Sequence, residues 1–171
     1  GEQRPQPRVG VVVDEPLEVV VERVQPGGGQ VPGPAAEAPD LDGRADCVLV
    51  DAPCTGSGTW RRNPDAKWRM RPNALSTRVA DQATVLDRAA RLVRPGGRIT
   101  YITCSVLPEE NDEAVASFLA RHKGFGALAA ADGFRDAPFD PLPWSTPAGG
   151  LQLTPLRSGT DGFYARLLVR R

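Results

Sequence analysis

The 171-residue chain has one histidine, one methionine and three cysteines. A lone His122 and the lack of any Cys-x-x-Cys leave too few ligands for a zinc site and no partner for a Cys–His hydrolase dyad. Cys47, Cys54 and Cys104 are too few and too scattered for a disulfide framework. No apolar run approaches the ~20 residues of a membrane span, and the first residues, Gly1-Glu2-Gln3-Arg4-Pro5, carry no signal-peptide core. No membrane and no metal are expected, and a cytoplasmic location is the default. The net charge is zero, so nothing global draws the chain to nucleic acid. A composition of 40% apolar and 25% charged residues fits one ordinary soluble domain.

The charge that is there is unevenly placed. Arg61, Arg62, Lys67, Arg69 and Arg71 crowd one segment with a single acid, Asp65. Such a stretch can neutralise phosphates, and it can equally be a solvated loop; both readings stand. Trp60 and Trp68 lie in the same segment, to stack a base or to pack the loop. His122 reads as a solvated residue near a helix C-terminus.

Along the chain, residues 1–45 divide from residues 46–171. Val9–Val13 and Leu17–Val21 are β-rich runs broken by Pro16, and 26–39 is an aperiodic Pro/Gly/Ala connection. Cys47–Val50 is a short continuous apolar run, as in a strand covered on both faces. Val79, Ala83, Leu86, Ala90 and Val93 recur at helical steps and end at Arg94-Pro95-Gly96-Gly97. Arg98–Thr103 is the next strand. Pro108 and the acids after it open a second helix with Val115, Phe118 and Leu119 on its apolar face. The span 124–150 reads as loop. Leu151–Thr154 and Phe163–Val169 read as a closing hairpin through Asp161-Gly162. The pattern predicts a mixed α/β sheet.

Two cysteine motifs fifty residues apart stand where strands end: Asp51-Ala-Pro-Cys-Thr-Gly-Ser-Gly-Thr59 and Tyr101-Ile-Thr-Cys-Ser105. In open α/β sheets that edge binds ligands. The first motif, with Arg61-Arg-Asn-Pro-Asp-Ala-Lys-Trp68, resembles the fourth motif of the RsmB/Sun/NSUN family of RNA cytosine-5 methyltransferases. The second, with Pro108-Glu-Glu-Asn111, is similar to the family's sixth, and Gly159-Thr-Asp-Gly-Phe-Tyr164 to its final hairpin. The resemblance covers about Asp46 to Arg170. It implies a Rossmann-like class I methyltransferase sheet, mostly parallel with a C-terminal antiparallel hairpin. It also implies S-adenosyl-L-methionine as cofactor and RNA, ribosomal or transfer, as partner.

The implied chemistry suits these residue types. Carbon 5 of cytosine is a poor nucleophile, and a thiolate adding to carbon 6 activates it. The resemblance gives that attack to Cys104 and the breaking of the adduct to Cys54. Asp51 faces the base or the cofactor's methionine end; the plainer reading is a loop cap. The Pro53 carbonyl is implied to meet the cytosine amine. Arg61, Arg62, Lys67 and Arg71 are candidate substrate contacts. Cys47 and Cys104 can each be read as small buried apolar residues, and Cys47 is taken as core.

The family's glycine-rich cofactor loop, Asp-x-Cys-Ala-x-Pro-Gly-Gly-Lys, has no counterpart in this sequence; Pro26-Gly27-Gly28-Gly29 lacks its flanks. Val11-Val12-Val13-Asp14 is a candidate second strand with Asp14 for the cofactor ribose, and Asp40 or Asp42 for the adenine. The chain therefore reads as the C-terminal half to two-thirds of a catalytic domain, without its first strand. An open central sheet edge is then expected, to be covered by self-association or a complementing chain. Against the enzyme stand an inactive remnant or RNA-binding module, and a thiol enzyme of another class.

Overall fold

The computed structural model describes residues 41–171 in full and residues 8–14, 18–24 and 34–35 at the level of backbone pairing. Pro26–Gly29 and Asp40 lie outside the described residues, as does the side chain of Asp14. Among the described residues eight strands form one sheet: β1 (Arg8–Asp14), β2 (Glu18–Val24), β3 (Pro34–Ala35), β4 (Ala45–Asp51), β5 (Val93–Thr103), β6 (Phe125–Ala127), β7 (Leu151–Leu153) and β8 (Phe163–Arg170). Their order is β3-β2-β1-β4-β5-β8-β6, with β7 also paired to β8. β1, β4 and β5 are parallel; β8 runs antiparallel to β5, β6 and β7. This is the mixed sheet that the resemblance implies.

The helices are α1 (Ala66–Arg69), α2 (Ala74–Leu92), α3 (Asp112–Arg121), α4 (Ala130–Gly133) and α5 (Pro155–Ser158). α2 crosses from β4 to β5. Its last carbonyls are not left open: Arg91 and Leu92 accept from the Gly43 and Arg44 amides at 2.8 and 3.1 Å. The Arg170 guanidinium adds a bond to the Ala90 carbonyl, a cation where the helix dipole favours one. The core lies between α2, α3 and one sheet face, where Val48, Val50, Ile99 and Tyr101 meet Leu86, Ala89 and Phe118. Truncating Phe118, fully buried, removes about 3–5 kcal/mol of packing.

Four differences from the sequence reading have physical reasons. First, β1 lies parallel along β4, Val13 opposite Val50, so that edge of β4 is covered within the chain. This removes the ground for a complementing chain there. It also puts β1 beside β4, the position of the first strand in a 3-2-1-4 order and not the second, with β2 antiparallel to both β1 and β3. Second, the buried face of α2 is rotated: Gln82, Val85, Leu86, Ala89 and Ala90 are buried, whereas Val79 and Ala83 are half-buried. Third, the second helix is split by Asn111, whose φ of −115° and ψ of −104° separate a 3-10 turn at Pro108–Glu110 from α3. Fourth, the span read as loop contains β6, a three-residue strand that pairs only through β8.

Among the described residues, no helix is long and apolar enough to cross a membrane.

Candidate active site

β4 and β5 are neighbours in register, Asp51 opposite Ile102, so both cysteine motifs leave the sheet at one edge. The two thiols meet there, Cys54 Sγ 3.2 Å from Cys104 Sγ. That is a thiol hydrogen bond between free cysteines, far longer than the ~2.0 Å of a disulfide. The bond makes the pair unequal. Donation from Cys54 stabilises a thiolate on Cys104 and lowers its pKa to about 7, against burial and the charges of Asp51 and Glu110. The same bond, with burial, pushes Cys54 far above the ordinary thiol range.

The loops are laced together below the thiols. Glu110, fully buried, accepts from the Thr55 amide and the Thr55 hydroxyl at 2.6 Å each, and from the Ser105 hydroxyl. Because Ser105 donates to Glu110, Ser57 is the donor in the 2.9 Å contact between the two serines. Asn111 accepts from Thr103 at 2.6 Å and donates to the Ser105 carbonyl at 3.0 Å. Tyr101 donates to the Glu110 carbonyl at 2.7 Å. Hydrogen bonds to a charged carboxylate contribute about 1.5–3 kcal/mol each, which is enough to hold two loops in one geometry.

The third matched segment joins them. The Gly58 amide donates to the Cys104 carbonyl at 3.0 Å, and the Gly162 amide to the Gly58 carbonyl at 2.8 Å. A Cβ on Gly58 would lie 2.1 Å from the Gly162 oxygen, so only glycine allows this approach.

The other predicted residues divide. Asp51 is exposed at the end of β4, close enough for its charge to act on Cys104. Asp14 ends β1 at the same sheet edge. Pro53 is buried, and its carbonyl accepts from Gln82 Nε2 at 2.9 Å, with a lone pair left for a second donor. Arg61 and Arg62 both bind Asp161, Arg61 at 3.2 Å, so they hold the C-terminal turn. Lys67 lies 4.8 Å over the Trp68 ring. Arg71 lines a cleft of about 560 Å³ with Cys54, Thr55, Arg69, Met70 and Arg78. Trp60 is half-buried and packs the loop, whereas Trp68 is 80% exposed. Cys47 is half-buried, 4.0 Å from the Thr100 hydroxyl and apart from the other two thiols. His122 caps α3 and binds Asp87 at 2.7 Å while stacking on Phe118, so it is a structural residue and not a solvated one. Asp42 stands near the opposite end of β4, beside Arg91 and His122.

Sequence reasoning missed Gln82, Asp161 and the part played by Glu110. Gln82 carried a signal: it is a polar residue within the apolar stripe of α2. Among the described residues, no group of three or more His, Cys, Asp or Glu side chains is placed to hold a metal.

Residues 33–169 match the family described as 16S rRNA methyltransferase RsmB/F. The chain belongs to the RsmB/F family. The ribosomal RNA small subunit methyltransferase B of Erwinia tasmaniensis is 36% identical over 148 residues, which is 86% of this chain and 30% of that protein. The protein of the same name from Pasteurella multocida is 38% identical over 121 residues, 70% of this chain and 24% of its own length. This RsmB/F chain thus spans less than a third of these relatives. The crystal structure of PH0851 superposes with a TM-score of 0.66 at 38% identity, covering 80% of this chain and 29% of that one. NSun6 from Pyrococcus horikoshii, solved with SFG, gives 0.59 at 26% identity, covering 77% and 32%.

Proposed function

We propose that this RsmB/F chain carries the covalent half of a site that methylates carbon 5 of cytosine in RNA, with S-adenosylmethionine as methyl donor. The observation that carries the reading is the polarised thiol pair at the sheet edge, beside Asp51. Support for the substrate comes from relatives named for ribosomal RNA methylation. Support for the cofactor comes from a structural neighbour solved with SFG, an S-adenosylmethionine analogue.

The residues present fit the methionine end of that cofactor. Asp51 offers an exposed carboxylate for an ammonium group, and Asp14, the candidate for the ribose, ends the adjoining strand at the same edge. When bound, the cofactor supplies an electrophilic methyl group. The chain's own residues do the rest. Cys104 adds as thiolate to carbon 6, which makes carbon 5 nucleophilic. Asp51 shares a proton with the ring nitrogen as the ring takes up charge. Pro53 uses its spare lone pair for the exocyclic amine.

After methyl transfer, carbon 5 holds a proton that must leave before the carbon–sulfur bond breaks. Cys54 is suited to take it. While Cys104 is a thiolate, Cys54 is held protonated by their shared hydrogen bond. Once Cys104 is a thioether that bond is gone, and with it the largest cause of the raised pKa. Cys54 can then lose its own proton to solvent and, as a thiolate, take the carbon 5 proton, while the carbon–sulfur bond breaks and Cys104 leaves as a thiolate. Arg71, which lines the cleft, and the exposed Lys67 of α1 face the RNA backbone.

The test is transfer of labelled methyl from S-adenosylmethionine to unmodified ribosomal RNA, with nucleoside analysis for 5-methylcytosine. Label in another nucleoside, or no binding of millimolar cofactor by calorimetry, would overturn the reading for this chain. In the second case an RNA-binding module without methyl transfer would remain.

A further inference from the structure

Cys54 sits between two peptide groups, and each is held from outside its own loop. The Pro53 carbonyl in the first accepts from Gln82 Nε2 of α2 at 2.9 Å. The Thr55 amide in the second donates to Glu110 Oε1, beyond β5, at 2.6 Å. Peptide groups are rigid planes, so fixing both leaves the Cys54 backbone no soft torsion. Only χ1 then aims its sulfur, in one of three wells, and the occupied one points at Cys104.

Packing alone does not account for the two clamp residues. Both are fully buried. Gln82 lies in the apolar stripe of α2, and its Oε1 has no hydrogen-bond partner. An unmet buried acceptor is destabilising relative to an apolar side chain of the same size. What Gln82 provides, and Leu or Met would not, is the N–H that grips Pro53. Glu110 meets all its acceptor needs across two loops, so it also sets the spacing between them.

We infer that Gln82 and Glu110 are positioning residues that hold the Cys54 thiol against Cys104, and that Gln82 serves release of the methylated base more than attack upon it. The second part rests on the cytosine chemistry proposed above; the first does not. Gln82 grips only the Cys54 side of the pair. Cys104 follows directly on β5, whose pairing with β4 and β8 makes no use of Gln82. Losing Gln82 therefore loosens the base and leaves the nucleophile in place.

The experiment reads the thiols first, without RNA or cofactor. Alkylation of Cys104 by iodoacetamide is followed against pH by residue-resolved mass spectrometry in the full chain. The groups facing Cys104 are Cys54, Asp51 and Glu110. Gln82→Met keeps size and loses the donor, so the Cys104 midpoint should rise from about 7 toward the ordinary 9.0, with circular dichroism and Cys47 reactivity unchanged. Glu110→Gln keeps an acceptor for the Thr55 amide and removes a charge that raises Cys104, so its midpoint should stay level or fall. These opposite signs are not what a general loosening of the fold would give. A Gln82→Met midpoint equal to wild type overturns the positioning role, and a rise of equal size in both variants would mark a general loosening of the fold and overturn the specific grip.

The second arm adds RNA and S-adenosylmethionine. Gln82→Met should slow formation of the covalent adduct by no more than about five- to eightfold, the effect of a Cys104 pKa restored to 9.0, and should release it roughly tenfold to a hundredfold more slowly, the scale of a small misplacement of a reacting group. Equal slowing of both steps overturns the assignment to release. If the wild type forms no adduct, the cytosine chemistry falls, while the alkylation profile still decides the positioning.

Discussion

Replacing Cys54 by Ala should make Cys104 a poorer nucleophile near neutrality and a better one in strong base. The wild-type pKa of about 7 is owed first to the hydrogen bond from Cys54, and burial, Asp51 and Glu110 all act against it. Without that bond the pKa returns to 9.0 or above. At pH 7 the thiolate fraction falls from roughly one half to roughly one hundredth, a loss of about fiftyfold. Intrinsic nucleophilicity rises with basicity by about six- to tenfold over two units. The net expectation is alkylation about five- to eightfold slower at pH 7, with the rate–pH curves crossing and the variant about six- to tenfold faster near pH 10.5. Iodoacetamide kinetics from pH 5 to about 11, resolved for Cys104 with Cys47 as internal control, provide the measurement. Curves that superpose would refute the claim that the 3.2 Å contact polarises the pair.

Further outcomes follow from the same geometry. A dithiol oxidant such as diamide should join Cys54 to Cys104, with a loss of two hydrogens and of two titratable thiols and Cys47 still free; a bridge to Cys47 would contradict the placement. Gly58→Ala drives a Cβ into the Gly162 carbonyl, so urea denaturation should show a loss of about 2–3 kcal/mol, and a change within error would contradict the close approach. Arg71→Ala should weaken RNA binding evenly across sequences and reduce the salt slope by about one, read by fluorescence anisotropy at several ionic strengths. An unchanged slope would remove Arg71 from the phosphate contacts.

How much could be read from the sequence depended on whether a signal was local. The two thiols, Asp51 and the strands beneath them were legible because each motif follows a short apolar run. Gly162 was legible too, as part of a turn signal, though not its contact with Gly58. The face of α2 was misread because a periodicity count scores only apolar residues, so the polar Gln82 inside the stripe was passed over. The ion pairs of Arg61 and Arg62 with Asp161 were not legible because that counterion lies about a hundred residues on. β6 escaped because three residues containing a glycine have no period, and its pairing comes wholly from β8. The cover that β1 gives β4 was hidden for a similar reason: the run was visible, but its partner was not.

The central claim is that Cys104 attacks and Cys54 releases. The most direct measurement incubates the chain with ribosomal RNA and S-adenosylmethionine and resolves protein–RNA adducts on a denaturing gel. Cys54→Ala should accumulate a covalent complex that Cys104→Ala never forms, and the double variant should form none. Accumulation in Cys104→Ala but not in Cys54→Ala would reverse the two roles and contradict the account.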